Sequence, residues 1–319
     1  MGEVRTGQWL GKSSRGIIAR LESWSPKVDC HGERFWACDF IAPEGICHGR
    51  VWPDDVSTST PEALQVGCWY LVVSVSGQWG TASLNKLAAI VPVAQAFDWL
   101  GMPAGGEGAR CDDWNGVSWW LGRIPDPVVQ AFVLRVFLNE SLRESFFSVP
   151  ASRHHHHFWR GGLVEHSLEV AEQVASNRLI RDPLDRWLGS VAGLFHDVGK
   201  IRTLNTRPSL RRCSEILDHD RLTLEVLSPS LAWLDWVDPD IGQMLRYFLI
   251  WDPAREPRPL IPAVMAMREA DRMSAGMSAS EITFATAPAW ARFAKLNASG
   301  PKNRFWRSRP GRRVISPRH

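Results

Sequence analysis

An adjacent histidine and aspartate, His196 and Asp197, constrain the fold of this chain more than any other feature. They follow the apolar run Gly193-Leu194-Phe195 and precede Val198-Gly199-Lys200. Two such side chains at the end of a helix can turn toward one cavity and hold a metal ion from two sides. Imidazole and carboxylate together suit a hard or borderline divalent cation such as manganese, iron, magnesium or zinc, rather than a soft thiolate site.

Three other residues with metal-binding side chains lie at suitable distances along the chain: His166, His219 and Asp271. Asp271 stands among methionines and alanine on the helix predicted over 261–273, and a lone carboxylate on an apolar face is costly unless it is paired or binds a metal. For His219, pairing with Asp220 is the alternative to metal binding. We predict that His166, His196, Asp197 and Asp271 converge from three helices as metal ligands, and that His219 is a further ligand.

Three more residues are candidates for chemistry beside the metal. Lys200 is placed to contact a phosphate oxygen or a leaving group, although a helix cap at the surface would also account for it. The four-histidine run 154–157 is internal and precedes a Gly-Gly turn. From it, His156 and His157 are predicted to donate protons, contact phosphate or bind a second metal.

The first third of the chain is predicted to be a β-barrel. Five short apolar segments between residues 16 and 91 are separated by glycine and polar turns, which is typical of a five-stranded Greek-key barrel of the OB type. Trp36 and Trp52 then have two interpretations, because a tryptophan can fill such a barrel or stack on bases at its open face. The barrel is assigned to residues 1–95.

The rest of the chain is predicted to be helical. A glycine-rich linker is assigned to 96–125, a helical domain to 126–285, and a basic tail to 286–319. The fold class is therefore multidomain α+β, an OB-like barrel followed by an all-α bundle. In the tail, Arg312 and Arg313 either follow a phosphate backbone or belong to a disordered, solubilising end.

The cysteine pattern and the search for targeting signals indicate where the protein is expected to be located. The six cysteines form no CxxC pair, and no secretory signal or membrane-length apolar run is present. We therefore expect free thiols in the cytoplasm and no membrane partner.

The metal-binding residues resemble the pattern of the HD-domain phosphohydrolase superfamily, namely His166, then His196-Asp197, then the distant Asp271. Residues 128–200 look most like two groups within it. One comprises bacterial 3′-to-5′ exoribonucleases that join an OB domain to an HD domain. The other comprises HD-type conjugative relaxases, whose histidines before Gly-Gly-Leu resemble His155-His156-His157 and Gly161-Gly162-Leu163.

The resemblance implies that 126–285 is an HD domain with one or two divalent ions, manganese foremost. Family members with two metals often carry a further histidine before the final aspartate helix, whereas this chain has Leu249-Ile250-Trp251-Asp252-Pro253. A single ion, or Asp252 as a substitute ligand, would explain the difference.

The expected function is a metal-dependent phosphodiesterase on single-stranded RNA or DNA, working as a 3′-to-5′ exonuclease. Three alternatives remain: a relaxase-like DNA-processing protein of a mobile element, a nucleotide phosphohydrolase, and a nucleic-acid-binding module whose metal site has decayed. A homo-oligomer is compatible with each of them.

Overall fold

The computed structural model describes residues 16–52, 63–75, 85–102, 109–153, 156–204, 219–250, 261–296 and 304–309. Within these ranges the chain forms two compact units. The first comprises the described residues of 1–106, 114–144 and 227–244, and the second those of 107–113, 145–226 and 245–319. The predicted ligand positions 166, 196, 197, 219 and 271 all fall in the second unit.

The first unit contains a closed five-stranded barrel, which confirms the predicted OB-like fold. Its strands are β1 (Gly16–Val28), β2 (Arg34–Ala42), β3 (Gly45–Val51), β4 (Trp69–Ser74) and β5 (Asn85–Pro92), in the order β1-β2-β3-β5-β4. Neighbouring strands are antiparallel except β3 and β5, which are parallel. Because side chains alternate along a strand, every second residue of β2 and β3 enters the core, including Phe40 and Val51.

Helices accompany the barrel in the first unit. Asp126 caps α2 (Pro127–Leu138) by accepting hydrogen bonds from the backbone of Val128 and Val129, and Pro127 occupies the first turn. The helix α2 packs against β1 and β4. It was predicted to belong with the HD region, but its apolar face is used to cover the barrel. The helix α3 (Glu140–Phe146) follows it.

The segment assigned as a linker contains regular structure. A 3-10 turn covers Phe97–Leu100, and α1 covers Ala109–Gly122. Within α1, Trp114 and Trp120 are buried, and Trp114 stacks on Phe97 with ring centroids 4.2 Å apart. Burial of large aromatic side chains thus orders a stretch that its glycines marked as a connection.

The second unit is built from helices, as predicted. The helices α4 (Gly162–Ala175), α5 (Pro183–Phe195) and α9 (Pro262–Ala285) pack on one another. Between α4 and α5 the approach is close, because a Cβ on Gly193 would lie only 3.0 Å from the side chain of Val170. The short α6 (Lys200–Thr203) follows α5. The helices α7 (His219–Val237) and α8 (Pro239–Ile250) are divided between the two units, because residues 227–244 belong to the first.

The chain ends, as far as it is described, in a two-stranded antiparallel ribbon within the predicted tail. Its strands are β6 (Phe293–Lys295) and β7 (Arg304–Trp306). Arg312 and Arg313, the predicted nucleic-acid contacts of the tail, lie outside the described residues, as does Asp252. No helix in the described ranges combines the length and the hydropathy needed to cross a bilayer.

Candidate metal centre

Three helices of the second unit deliver four of the predicted ligands to one place. His166 lies one turn into α4, on the same buried face as Leu163 and Val170, and its side chain is fully buried. His196 caps the C-terminal end of α5 and Asp197 follows it, so the end of one helix turns both side chains inward. Asp271 projects from α9 and keeps about a third of its side chain exposed (33 %), which leaves one side of the group accessible to solvent.

The distances between these side chains are close to those of atoms that share a cation. His166 Nε2 is 3.2 Å from Asp271 Oδ1 and 3.6 Å from Asp197 Oδ2. His196 Nε2 is 3.4 Å from Asp197 Oδ2 and 3.6 Å from Asp271 Oδ1. Ligands held about 2.1 Å from one ion in tetrahedral or octahedral geometry stand roughly 3.0 to 3.4 Å apart. His166, His196 and Asp197 each offer a ligand atom within 4.8 Å of the other two, and Asp271 Oδ1 adjoins both histidine nitrogens. The four side chains are therefore placed to share a single divalent ion.

The buried ring nitrogens provide an independent test of whether a metal fits. The Nε2 atoms of His166 and His196 are buried and have no hydrogen-bond partner of acceptable geometry among the described residues. Leaving such a nitrogen unsatisfied in the interior costs about 1–3 kcal/mol. Coordination of a cation would satisfy both nitrogens and balance both carboxylates, so the residues present fit a divalent metal.

Each histidine is also held in the tautomer that metal binding requires. His196 Nδ1 donates a hydrogen bond to the backbone carbonyl of Gly193 at 2.7 Å. His166 Nδ1 lies 2.8 Å from Ser274 Oγ, and that hydroxyl donates to Glu169 Oε2 at 2.5 Å. Because the hydroxyl proton goes to Glu169, Ser274 accepts from the imidazole, which leaves the lone pair on His166 Nε2.

Ser274 and Glu169 escaped the sequence prediction, although a signal for them existed. Glu169 lies three residues after His166 on α4, and Ser274 lies three residues after Asp271 on α9. Residues three apart share a helical face, so each follows a predicted ligand along the same side of its helix. The spacing placed both side chains near a predicted ligand but did not distinguish them from ordinary polar residues.

Replacing Ser274 by alanine is expected to weaken metal binding by about ten- to a hundredfold, because His166 loses the partner that fixes its ring. Titration of the metal-free protein with Mn²⁺, followed by calorimetry, measures the change. Ser280→Ala on the same helix serves as the control. Equal Mn²⁺ affinity in Ser274→Ala and the unmodified protein would show that the hydrogen bond does not act on the metal.

The protonation of the site follows from its crowding. Burial lowers the pKa of His196, but the charges of Asp197 and Asp271 outweigh this and raise it to about 10. Burial lowers the pKa of His166, whose ring centroid lies 5.2 Å from that of His196. Although burial raises the pKa of Asp197, the charges of His196 and Lys200 bring it well below its usual range. The site therefore favours a positive charge between its carboxylates.

The two carboxylate oxygens of Asp197 face different residues. Oδ2 faces the two histidines described above and forms a salt bridge with Lys200. Oδ1 lies 3.3 Å from Nε2 of His219, which begins α7. His219 therefore contacts the predicted site through Asp197, and the fifth predicted ligand lies beside the other four.

The histidine run contributes two side chains near the site. The ring of His156 lies 5.3 Å from that of His166, and burial together with the charges of His166 and Lys200 lowers the pKa of His156 to about 4. His157 is buried, and its Nε2 lies 3.5 Å from Glu169 Oε2. His157, His166 and Glu169 form a second group of potential ligand atoms.

A backbone constraint fixes the position of His157. Its amide donates to Ser278 Oγ at 3.1 Å, and its carbonyl accepts from the amide of Ala151 at 2.9 Å. Its φ angle of 45° is in the left-handed region. A Cβ at Gly162 would lie 2.0 Å from the carbonyl oxygen of His157, so only glycine allows this loop to close onto α4.

The predicted barrel residues have mixed surroundings. Trp36 is partly buried and packs against the barrel core, in agreement with the core interpretation. Trp52 stacks on Phe35 with ring centroids 5.3 Å apart, and the Lys86 ammonium lies 5.3 Å from the Trp52 ring. Arg50 lies at the same distance over Phe35. The barrel thus carries an aromatic pair that is flanked by cations.

Comparison with known proteins identifies the family of the helical region. Residues 163–276 match the family model described as HD domain, and this range contains all five predicted ligands. The chain therefore carries an HD domain, and the resemblance to the HD-domain phosphohydrolase superfamily is confirmed. The HD domain makes this unit a metal-dependent phosphohydrolase that takes a divalent ion. No curated protein and no solved structure matches the chain.

Proposed function

We propose that the protein is a metal-dependent phosphodiesterase that removes nucleotides from the 3′ end of single-stranded RNA or DNA. The observation that carries the hydrolytic part is the convergence of His166, His196, Asp197 and Asp271, with two buried ring nitrogens lacking other partners. The choice of a polymeric substrate is supported by the aromatic pair Phe35–Trp52 and its neighbouring cations on the barrel.

The chain's own residues divide the work at the phosphate. The two histidines and two aspartates hold the ion, for which we propose manganese, with iron, magnesium and zinc as alternatives. When bound, a divalent ion lowers the pKa of water and neutralises charge on a phosphoester. Asp197 Oδ1 and His219 Nε2 lie 3.3 Å apart on the far side of the carboxylate, so they are the pair that would hold a second ion.

Lys200 and His156 are assigned complementary roles. Lys200 is held beside Asp197 by their salt bridge, where its charge can offset the negative charge that develops on the phosphate. His156 is neutral at pH 7 because its pKa is about 4. It therefore suits accepting a proton or a hydrogen bond better than donating a proton, which is one of the three roles that the sequence left open for it.

His157 has less access to a substrate than the sequence suggested. Its side chain is buried and faces Glu169. We propose that it positions Glu169, and through Ser274 the ring of His166, while His156 is the member of the run that contacts substrate.

Incubation of 5′-labelled single-stranded RNA and DNA with the protein and Mn²⁺ tests the proposal. We expect a ladder that shortens from the 3′ end and disappears when a chelator removes the ion. One discrete product from DNA would favour the relaxase-like alternative, and hydrolysis of mononucleotides alone would favour a nucleotide phosphohydrolase. Binding of the strand without any metal-dependent product would mean that the protein is a binding module.

We also propose that the protein is related in function to the bacterial exoribonucleases or to the conjugative relaxases that the sequence resembles. An OB-like barrel in the same chain as an HD domain favours the exoribonuclease comparison, and the histidines before Gly161 favour the relaxase comparison. The cytoplasm is the proposed location, in keeping with the thiols of Cys30, Cys38, Cys47 and Cys68, which form no disulfide in the described part of the chain.

A further inference from the structure

We infer that the ribbon formed by β6 and β7 is a second binding surface for single-stranded nucleic acid. It lies beyond the matched HD domain, which ends at residue 276. The ligand is the strand named in the proposed function, and the inference rests on that function for its ligand class. These two strands lie within the predicted tail, and we call them the C-terminal ribbon (Phe293–Lys295 and Arg304–Trp306).

One face of the C-terminal ribbon carries two aromatic and two basic side chains. Phe293 pairs with Trp306 across the strands, and Lys295 pairs with Arg304. Because side chains alternate along a strand, all four project from the same face. The residue between the first pair and the second, Ala294, points to the opposite face and is buried.

The exposed aromatic rings and paired cations of this face do not stabilise the fold of the protein. Phe293 is 52 % exposed and Trp306 is 66 % exposed, and nearby Trp290 is 78 % exposed. Lys295 and Arg304 are directly opposite each other, and like charges in that register destabilise a sheet. A polyanion with flat apolar rings would cover the aromatic side chains and neutralise the paired cations.

The surrounding sequence strengthens the charge argument. From Ile282 to the last residue the chain contains no aspartate or glutamate. The same stretch contains these basic residues: Arg292, Lys295, Lys302, Arg304, Arg307, Arg309, Arg312, Arg313 and Arg318. Such a field attracts phosphate along the whole segment and does not select a particular base.

The ribbon is fixed to the rest of its unit. The guanidinium of Arg307 donates hydrogen bonds to the carbonyls of Ala291, Ala289 and Pro288 at 2.7, 2.9 and 3.2 Å. It also lies 4.5 Å from the ring centroid of Phe284, near the end of α9. Arg307 is thus used to hold the ribbon, which leaves Lys295 and Arg304 for the ligand.

Single-stranded nucleic acid suits this face better than a membrane or an acidic protein. Stacking on exposed aromatic rings tolerates any base, and adjacent cations follow the backbone, which is the usual combination in proteins that bind single strands. The same helix, α9, supplies Asp271 to the metal centre and leads into the ribbon. A strand on the ribbon is therefore bound by the same unit that contains the hydrolytic site.

The test measures binding without hydrolysis. The full-length protein is titrated into fluorescein-labelled 20-nucleotide poly(U) and poly(dT) in the presence of EDTA, and anisotropy is recorded at several salt concentrations. The variant Phe293→Ala/Trp306→Ala is expected to bind roughly 5- to 150-fold more weakly for each lost base stack. Lys295→Gln/Arg304→Gln keeps the rings and is expected to lower the slope of log K against log salt by about 0.7 per lost phosphate contact.

Two controls separate the ribbon from other effects. Trp119→Ala removes an exposed tryptophan that also lies beneath an arginine, Arg123 at 4.1 Å, and should leave binding unchanged. Mn²⁺-dependent hydrolysis of bis(p-nitrophenyl) phosphate, a small diester, should be equal in the ribbon variants and the unmodified protein. Loss of that activity would mean that the variants damage the HD domain.

Several outcomes would overturn the inference. Unchanged affinity and salt slope in both ribbon variants would do so, as would equal competition by polyglutamate or preferential binding to phosphatidylserine vesicles. The proposed function fails separately, if the protein binds the oligonucleotides through the ribbon but does not shorten them with Mn²⁺.

Discussion

Replacement of Asp197 by asparagine is expected to lower metal-dependent phosphodiester hydrolysis by on the order of a thousandfold, or about 4 kcal/mol of activation free energy. The carboxylate faces both buried histidines through Oδ2 and His219 through Oδ1, so its loss affects every part of the candidate site. An amide of the same shape keeps the volume but removes the charge that attracts the ion. The metal content of the purified variant, measured by mass spectrometry, should fall with the activity.

A matched variant shows whether the effect belongs to the site. Asp240→Asn changes an exposed aspartate in the first turn of α8 and should retain both metal and activity. Thermal unfolding of both variants checks that each is folded at the assay temperature. Retention of the metal and of more than about a tenth of the activity in Asp197→Asn would mean that the ion is held elsewhere.

The four residues that converge in the candidate metal centre could be singled out from the sequence because each breaks an apolar pattern. His166 and Asp271 are polar residues on faces that are otherwise buried, and such positions are costly unless the side chain has a partner. The adjacent His196 and Asp197 follow a stretch of the helix, residues 187–195, in which every residue is apolar or small. The convergence itself could not be predicted from spacing, because it depends on how α4, α5 and α9 pack.

The features that were missed depend on tertiary contacts or on weak local signals. The glycines between Gly101 and Gly108 dominated the assignment of a linker, whereas Trp114, Val117 and Leu121 follow at helical spacing and are buried. Each strand of the C-terminal ribbon has only three residues, too few for an alternating pattern to be recognised. Lys200 follows Asp197 by only three residues and pairs with it. The sequence alone does not show whether such a lysine forms this pair or caps a helix at the surface.

Replacement of Gly199 by alanine is expected to destabilise the HD domain by about 2–4 kcal/mol, the range of severe steric substitutions. Gly199 has φ −57°, so alanine is compatible with its backbone conformation, and the obstacle is purely spatial. A Cβ there would lie 2.1 Å from the carbonyl oxygen of His219 and 2.9 Å from the amide nitrogen of Thr223. Both atoms belong to the backbone of α7, which cannot rotate away as a flexible side chain would.

The same substitution should also disturb the metal centre, because α7 would have to move. Gly199 donates its amide hydrogen to Thr223 Oγ1, and that hydroxyl in turn donates to the carbonyl of His196. Displacement of α7 would therefore separate His219 from Asp197 and remove a contact that supports the backbone of His196. We expect lower affinity for Mn²⁺ in addition to a lower melting temperature.

Gly276→Ala is the matched control, since this glycine lies within α9 and has open space where a Cβ would be. Alanine is favoured over glycine in a helix interior by roughly 0.5–1 kcal/mol, so this variant should melt at a higher temperature. Differential scanning calorimetry with and without Mn²⁺ compares the two variants. Opposite shifts in melting temperature would show that glycine is required at position 199, at the junction of α6 and α7. Equal shifts in melting temperature would refute the close approach of Gly199 to His219.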